Sequence, residues 1–439
     1  MKSFRLFPLV LLLGAALAAP ARAQNLVDLY DSARPFDASF QSAQSQYQSV
    51  LARAEQSRAG ILPTVNLGMA ASRTALDANV RVATPAFGAQ SATLSASQPL
   101  YRPVNWLNYE QGQKSIAVAQ AVLQAAEQDL VIRLSQAYFD VLAAQDALTF
   151  VGAQKTAVSE QLASAKRNFE VGTSTITDTR EAQARFDLVI AQQIAADNDL
   201  RVKKLALDQL VGKAEASPRT LAPPVTLPPL VPGDVNAWVM QAIDDHPALR
   251  QAALALEVAQ LETQKAQAGN KPTLDLNGSY VVAHNNGSSS SAVNSHINTA
   301  TVALAFNLPL FAGFSIQNRI KETLALEDKA RTDLEAARRT VSQNTRSAFF
   351  GVLSGQGQVK ALEAAEASSQ SALDANKLGY QVGVRINIDV LNAQSQLFQT
   401  KRDLAKARYD VLLGSLKLRQ ANGSLRAEDL LAINTLLVK

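Results

Sequence analysis

The sequence predicts an α+β membrane protein in which β-hairpins of the transmembrane-barrel kind alternate with very long helices. Three observations predict it. Several segments alternate apolar and small polar residues with a period of two. Two stretches of 66 and 67 residues, 104–169 and 314–380, run without proline. The whole pattern then occurs twice, about 210 residues apart.

The strands carry the strongest local signal. From Ala300, one side reads Ala300, Val302, Leu304, Phe306, Leu308, Leu310 and the other Thr299, Thr301, Ala303, Ala305, Asn307. Leu274, Leu276, Tyr280 and Val282 alternate with Thr273, Asp275, Asn277 and Ser279. In the first half Val65, Leu67 and Met69 alternate with Thr64, Asn66 and Gly68, and Leu94 stands among Thr93, Ser95 and Ser97. Apolar-out, small-polar-in alternation is the pattern of a lipid-spanning barrel strand. One such segment alone fits a half-buried strand of a soluble sheet better; four in duplicated hairpins reverse that preference. The polar stretch 285–295 has the character of a loop exposed outside the cell. Four strands cannot close around a water-filled lumen, and open edges are forbidden in lipid, so the chain must oligomerise.

The helices are exceptional for length. At ~1.5 Å per residue each proline-free stretch is ~100 Å long if continuous. Leu123, Leu130, Leu134, Ala137, Val141, Ala144, Leu148 and Val151 form a coiled-coil seam, and much of the rest is Ala, Gln, Ser and charge.

The duplication is legible in pairs of segments at offsets of 209 to 211 residues. Gly60-Ile61-Leu62-Pro63-Thr64 answers to Gly269-Asn270-Lys271-Pro272-Thr273, and Gln98-Pro99-Leu100-Tyr101 to Leu308-Pro309-Leu310-Phe311. Ala137-Tyr138-Phe139 answers to Ala348-Phe349-Phe350, and Val171-Gly172 followed by Asp178 to Val382-Gly383 followed by Asp389. We therefore expect a first repeat over 24–216, with a hairpin at 63–101 and helices over 104–169 and 175–212. The second repeat, 234–439, has a hairpin at 272–311 and helices over 314–380 and 386–422. A helix leads into each repeat, over 35–61 and 247–268, with Pro35 and Pro247 in the first turn, where a missing N–H costs nothing. Residues 217–233, with prolines at 218, 223, 224, 228, 229 and 232, are an extended linker.

Residues 1–23 are expected to be a secretory signal peptide. Lys2 and Arg5 precede an apolar run to Ala19, and Ala21-Arg22-Ala23 is a cleavage site before Gln24. The run is shorter than the ~20 residues a spanning helix needs. Cleavage leaves 39 basic against 38 acidic residues, so the basic balance of the whole chain implies no nucleic-acid partner. The absence of cysteine excludes disulfides, lipid attachment through a thiol and thiolate metal sites.

No catalytic constellation, phosphate-binding loop or nucleophile motif is present, so no enzyme activity and no cofactor is expected. His246 starts a helix. His284 and His296 flank the 285–295 loop and could bind metal across the hairpin, but loop decoration is the better reading, and no metal is expected.

Two repeats of hairpin plus long helices, each with a Val-Gly turn followed by an aspartate, resemble the TolC outer-membrane efflux family across the whole mature chain. The matching residues are Val171-Gly172-Thr173-Ser174-Thr175-Ile176-Thr177-Asp178 and Val382-Gly383-Val384-Arg385-Ile386-Asn387-Ile388-Asp389-Val390-Leu391-Asn392-Ala393; Asp245-His246-Pro247-Ala248-Leu249-Arg250 matches the family's helix start. The resemblance implies a homotrimer in the outer membrane of a Gram-negative cell. Each subunit gives four strands to one shared barrel and its helices to a periplasmic α-barrel. It implies a passive exit duct for efflux or type I secretion, with a periplasmic adaptor and, through it, an inner-membrane ABC or RND pump as partners. It carries adaptor docking to Val171, Gly172, Thr173, Val382, Gly383 and Val384. It places Asp389 at the pore entrance, where three copies form an acidic ring, and puts Asn392 where the best-known members have a second aspartate. It makes Tyr380 and Arg385 a gating latch to Asp178. The rival expectation is a structural coiled-coil protein of the periplasm without channel activity.

Overall fold

The computed structural model describes residues 24–438, and the expected signal peptide lies outside them. In chain order the elements are α1 (Leu26–Ala33), α2 (Ala38–Ala59), β1 (Thr64–Ala75), β2 (Ala86–Tyr101), α3 (Pro103–Glu170), α4 (Ile176–Val211), α5 (Val235–Asp245), α6 (Pro247–Ala268), β3 (Thr273–Asn286), β4 (Asn294–Asn307), α7 (Ser315–Gln381), α8 (Asn387–Ala421) and α9 (Asp429–Asn434). The run helix, strand, strand, long helix, helix occurs once from α2 to α4 and again from α6 to α8. The chain forms two compact units, each drawn from both halves. One comprises Gln44–Leu123 with Pro247–Arg338, and the other holds the remainder.

The first of these units is built on an antiparallel sheet of order β1-β2-β3-β4. Its register places Leu67 opposite Leu94, Leu94 opposite Tyr280 and Tyr280 opposite Ala300. Side chains alternate across a strand, so Val65, Leu67, Met69, Leu94, Leu276, Tyr280, Val302, Leu304 and Phe306 share one face. That face is bare in the single chain: Met69 is 78% and Val302 81% exposed. The other face carries Thr93, Ser95, Asn277, Ser279, Thr299 and Thr301. At its end Arg102 makes a two-pronged contact with Asp275, Nε to Oδ1 at 2.7 Å and Nη2 to Oδ2 at 2.6 Å. Strand pairing continues to Asn286 opposite Asn294, so the turn at this end is shorter than the 285–295 loop read from composition. Beside the sheet, Glu262 accepts from Lys265 at 2.7 Å and Arg319 at 2.8 Å, which ties α6 to α7.

The second unit is helical. Leu130, Leu134, Val141, Ala144 and Val151 of the expected seam are buried, as are Leu207, Leu412, Leu416 and Leu418. Tyr138 is fully buried with its hydroxyl donating to the Arg219 carbonyl at 2.8 Å. That bond, with backbone bonds from Ala222 to Leu436 and from Val438 to Thr220, pins the proline-rich segment as extended chain. Among the described residues no helix is long and apolar enough to cross a membrane.

Pro247 is the first residue of α6, as its chemistry predicts. Pro35 is not in the first turn of α2: it sits in the turn after α1, and the helix begins at Ala38. The reason is Asp37. Its carboxylate accepts from the Phe40 amide at 2.8 Å, capping α2, and is gripped by Arg133 at 2.8 and 3.0 Å. Those Arg133 hydrogen bonds hold the Asp37 carboxyl below its ordinary 3.8.

Asp37→Ala removes a cap and one member of a buried ion pair together. It is expected to cost about 2 kcal/mol in denaturant unfolding followed by circular dichroism. A depressed carboxyl stabilises above its unfolded pKa, so the difference from wild type should be full above pH ~4 and vanish as pH falls through the lowered value.

Candidate functional site

The expected functional residues all lie in the helical unit, at the two helix-helix turns, the last turn of α7 and the first two turns of α4 and α8. The turns are built alike. Gly172 and Gly383 both have φ of +79°, a left-handed conformation that a side chain disfavours, and a Cβ at either would meet nothing within 4 Å. Backbone geometry, not space, is therefore what favours glycine there, and only asparagine or aspartate could share it at modest cost. Around them Thr173 N–H donates to the Asn168 carbonyl at 2.8 Å, and Val384 N–H to the Gly379 carbonyl at 2.9 Å, closing each helix with a wrap-around bond. The residues flanking the glycines point outward: Val171 is 73% exposed and Val384 78%, and Val382 and Ile386 are exposed as well.

Beyond the first turn, Thr175 and Asp178 form a reciprocal capping box at the start of α4. Asp178 Oδ2 accepts from the Thr175 amide at 3.0 Å and from the Ser174 and Thr175 hydroxyls at 2.8 Å each. Burial pushes this carboxyl up, but the three donors outweigh it and leave it below the usual carboxylate value. Asp178 is thus engaged by its own turn. α8 has no such side-chain cap, and Arg385 instead lies 3.7 Å from Asp389, one helical turn on.

The expected direct latch from Tyr380 and Arg385 to Asp178 is therefore not formed in this structure. The two hairpins are joined by other groups. Asn168 donates to the Tyr380 hydroxyl at 3.1 Å, and Asn387 donates to the backbone carbonyl of Asp178 at 3.2 Å. Gln161 donates to the Asn387 side-chain oxygen, and Arg185 donates to Asn392 Oδ1 at 2.9 Å. These polar ties lie over an apolar seam in which Leu391 packs with Val158, Leu162, Ala165 and Ala182, with Ile388 against them. Asp389 sits in the first turn of α8, where the helix dipole favours an anion.

The sequence did not single out Asn168, Gln161, Arg185 or Gly379, and it showed Asn387 only as part of the second Val-Gly motif, with no role. Asn387 carried a faint signal, an amide between two isoleucines that is 1% exposed once folded. Gly379 is required by space, since a Cβ there would come within 2.6 Å of Arg385 Cγ.

The two glycines make a paired expectation. Gly383→Asn should be nearly neutral because asparagine tolerates the left-handed region, whereas Gly383→Val should cost more than about 1 kcal/mol locally. Amide hydrogen exchange at the end of α7 reads both, and equal protection in the two variants would contradict the backbone account.

The family model for outer membrane efflux proteins matches residues 29–213 and 238–424. The chain is 32% identical to the outer membrane protein TolC of Vibrio cholerae over 419 residues, 95% of each chain. It is 29% identical to the alkaline protease secretion protein AprF of Pseudomonas aeruginosa, covering 94% of this chain and 87% of that one. Its fold matches the outer membrane protein VceC of Vibrio cholerae with a TM-score of 0.78 at 19% identity, over 91% of this chain and 96% of that one. A match over both halves of the chain, with a relative aligned nearly end to end, has one meaning: the chain belongs to the outer membrane efflux protein family.

Proposed function

We propose that this chain is the outer-membrane exit duct of a tripartite efflux or type I secretion system, and that it works as a homotrimer. The observation that carries the reading is the four-stranded sheet. Its β1 and β4 edges are unpaired among the described residues, and one face exposes a run of large apolar side chains, Val65, Leu67, Met69, Leu94, Val302, Leu304 and Phe306. In lipid an open edge leaves backbone groups without partners, so the sheet needs further strands, and three copies make a barrel of twelve. The duct is passive, and an inner-membrane ABC or RND pump supplies the energy.

A periplasmic adaptor docks at the helix turns, on Val171, Gly172 and Thr173 and on Val382, Gly383 and Val384. Support for this comes from the exposed valines held on glycine-fixed turns. At the entrance Asp389 forms a threefold acidic ring. Its charge is moderated by Arg385, and Asn392 is held by Arg185. Tyr380 and Asp178 act in the closed state through Asn168 and Asn387, so the ties that must break on opening are Asn168–Tyr380, Asp178–Asn387 and Arg185–Asn392.

Crosslinking of the full chain in detergent should yield trimer as the largest discrete species, and a ladder ending at monomer would defeat the reading. Entrance roles are tested in planar bilayers with a trivalent cation added from the periplasmic side. Asp389→Asn should abolish block. Arg385→Ser should deepen it, because it removes the cation beside Asp389. Asn392→Asp alone should change block little, since Arg185 lies within reach of the new carboxylate. Combined with Arg185→Ala it should strengthen block by about tenfold, about 1.4 kcal/mol. Equal block in all variants would remove both positions from the pore.

A further inference from the structure

We infer that His284 and His296 form a transition-metal site on the β3–β4 hairpin. The two residues stand directly opposite each other in the antiparallel register. Their Nδ1 atoms are 3.1 Å apart, with ring centroids 5.4 Å apart and the planes inclined by 65°. Two imidazole nitrogens bound to one ion at about 2.05 Å are about 3.3 Å apart at a tetrahedral centre and about 2.9 Å apart in cis positions of a square plane. The observed separation falls between these values. Metal-free, the same distance suits a single hydrogen bond, one ring donating Nδ1–H to the other, so an ion replaces one shared proton with little movement.

The hairpin preorganises the pair. Its ladder continues past the histidines through Asn285 opposite Ser295 and Asn286 opposite Asn294, which fixes both Cβ positions. The rings are exposed, at the turn end of the bare apolar face. The nearest residues on the same face, Gln90, Val282, Asn286, Asn294 and Asn298, are all neutral, and the cation Arg73 stands one pair further along on the edge strand β1. Among the described residues no group of three or more His, Cys, Asp or Glu is placed to hold a metal. The site therefore offers two protein ligands and leaves the other positions to water. Two imidazoles without thiolate or carboxylate select a borderline first-row ion, Cu2+ above Ni2+ and Zn2+, over Mg2+ or Ca2+. The site needs only this hairpin and does not depend on the trimer or the duct.

The test is a Cu2+ titration of the full-length protein in detergent, without chelating buffer, followed by calorimetry and electron paramagnetic resonance. Wild type should bind one ion per chain, with hyperfine coupling to two imidazole nitrogens. His284→Gln and His296→Gln should each lose one coupled nitrogen and bind about a hundredfold more weakly, because the second ligand acts at high effective concentration. Amide exchange of wild type with and without Cu2+ gives a readout free of any variant: residues 283–297 should gain protection. Unchanged two-nitrogen coupling in the double variant, or no protection of the hairpin, would overturn the site and leave the pair joined by its hydrogen bond alone.

Discussion

A backbone N–H or C=O without a partner costs several kcal/mol in hydrocarbon, and most of this molecule follows from avoiding that cost. β2 pairs with β3, so the two hairpins, far apart in sequence, become one sheet in which each half satisfies one edge of the other. The two edges that remain belong to β1 and β4. They cannot be removed by anything within this sheet, because its order is linear. The apolar face is consistent with the same constraint. Among the described residues nothing covers it, and its largest side chains are exposed to a degree that only lipid or another protein surface makes favourable.

The helical turns solve a different problem with different means. A long helix must end, and its last carbonyls must be satisfied, so each turn uses a left-handed glycine and a wrap-around bond. Beyond the turn, two kinds of contact join the hairpins, and they differ in strength. The seam around Leu391 buries several apolar side chains together. The amide and guanidinium ties each contribute about 0.5–1.5 kcal/mol, and a competing polar partner or water can replace them.

The four strands, the long helices and the positions of both turns were legible from period and punctuation. The helix limits differ from expectation by a residue or so, because Val-Gly and the flanking prolines mark them unambiguously. The start of α2 was misread. Proline at a helix start is a common preference, but Asp37 both caps and pairs with Arg133, a residue 96 positions away, and no local rule weighs that. The latch shows the same limit. Asp178 Oδ2 accepts from three donors in its own turn, while Arg385 lies beside Asp389 instead. The latch was implied by the family resemblance, and the donors within the turn were not weighed against it.

What the sequence determined by itself was everything set by neighbours along the chain: which segments are strands, which face of each is apolar, where helices stop, and that the same arrangement comes twice. These depend on alternation, on φ and on the loss of an N–H, all local properties. Only the tertiary structure decided that Arg185 meets Asn392, that Asn387 reaches the Asp178 carbonyl, and that the two histidines face each other at bonding distance. Each successive helical residue turns the side chain by about 100°, and a one-residue slip of a strand register moves every side chain to the opposite face. Choosing among several chemically equal partners therefore needs the rotation and register of elements hundreds of residues apart, and these are set by packing.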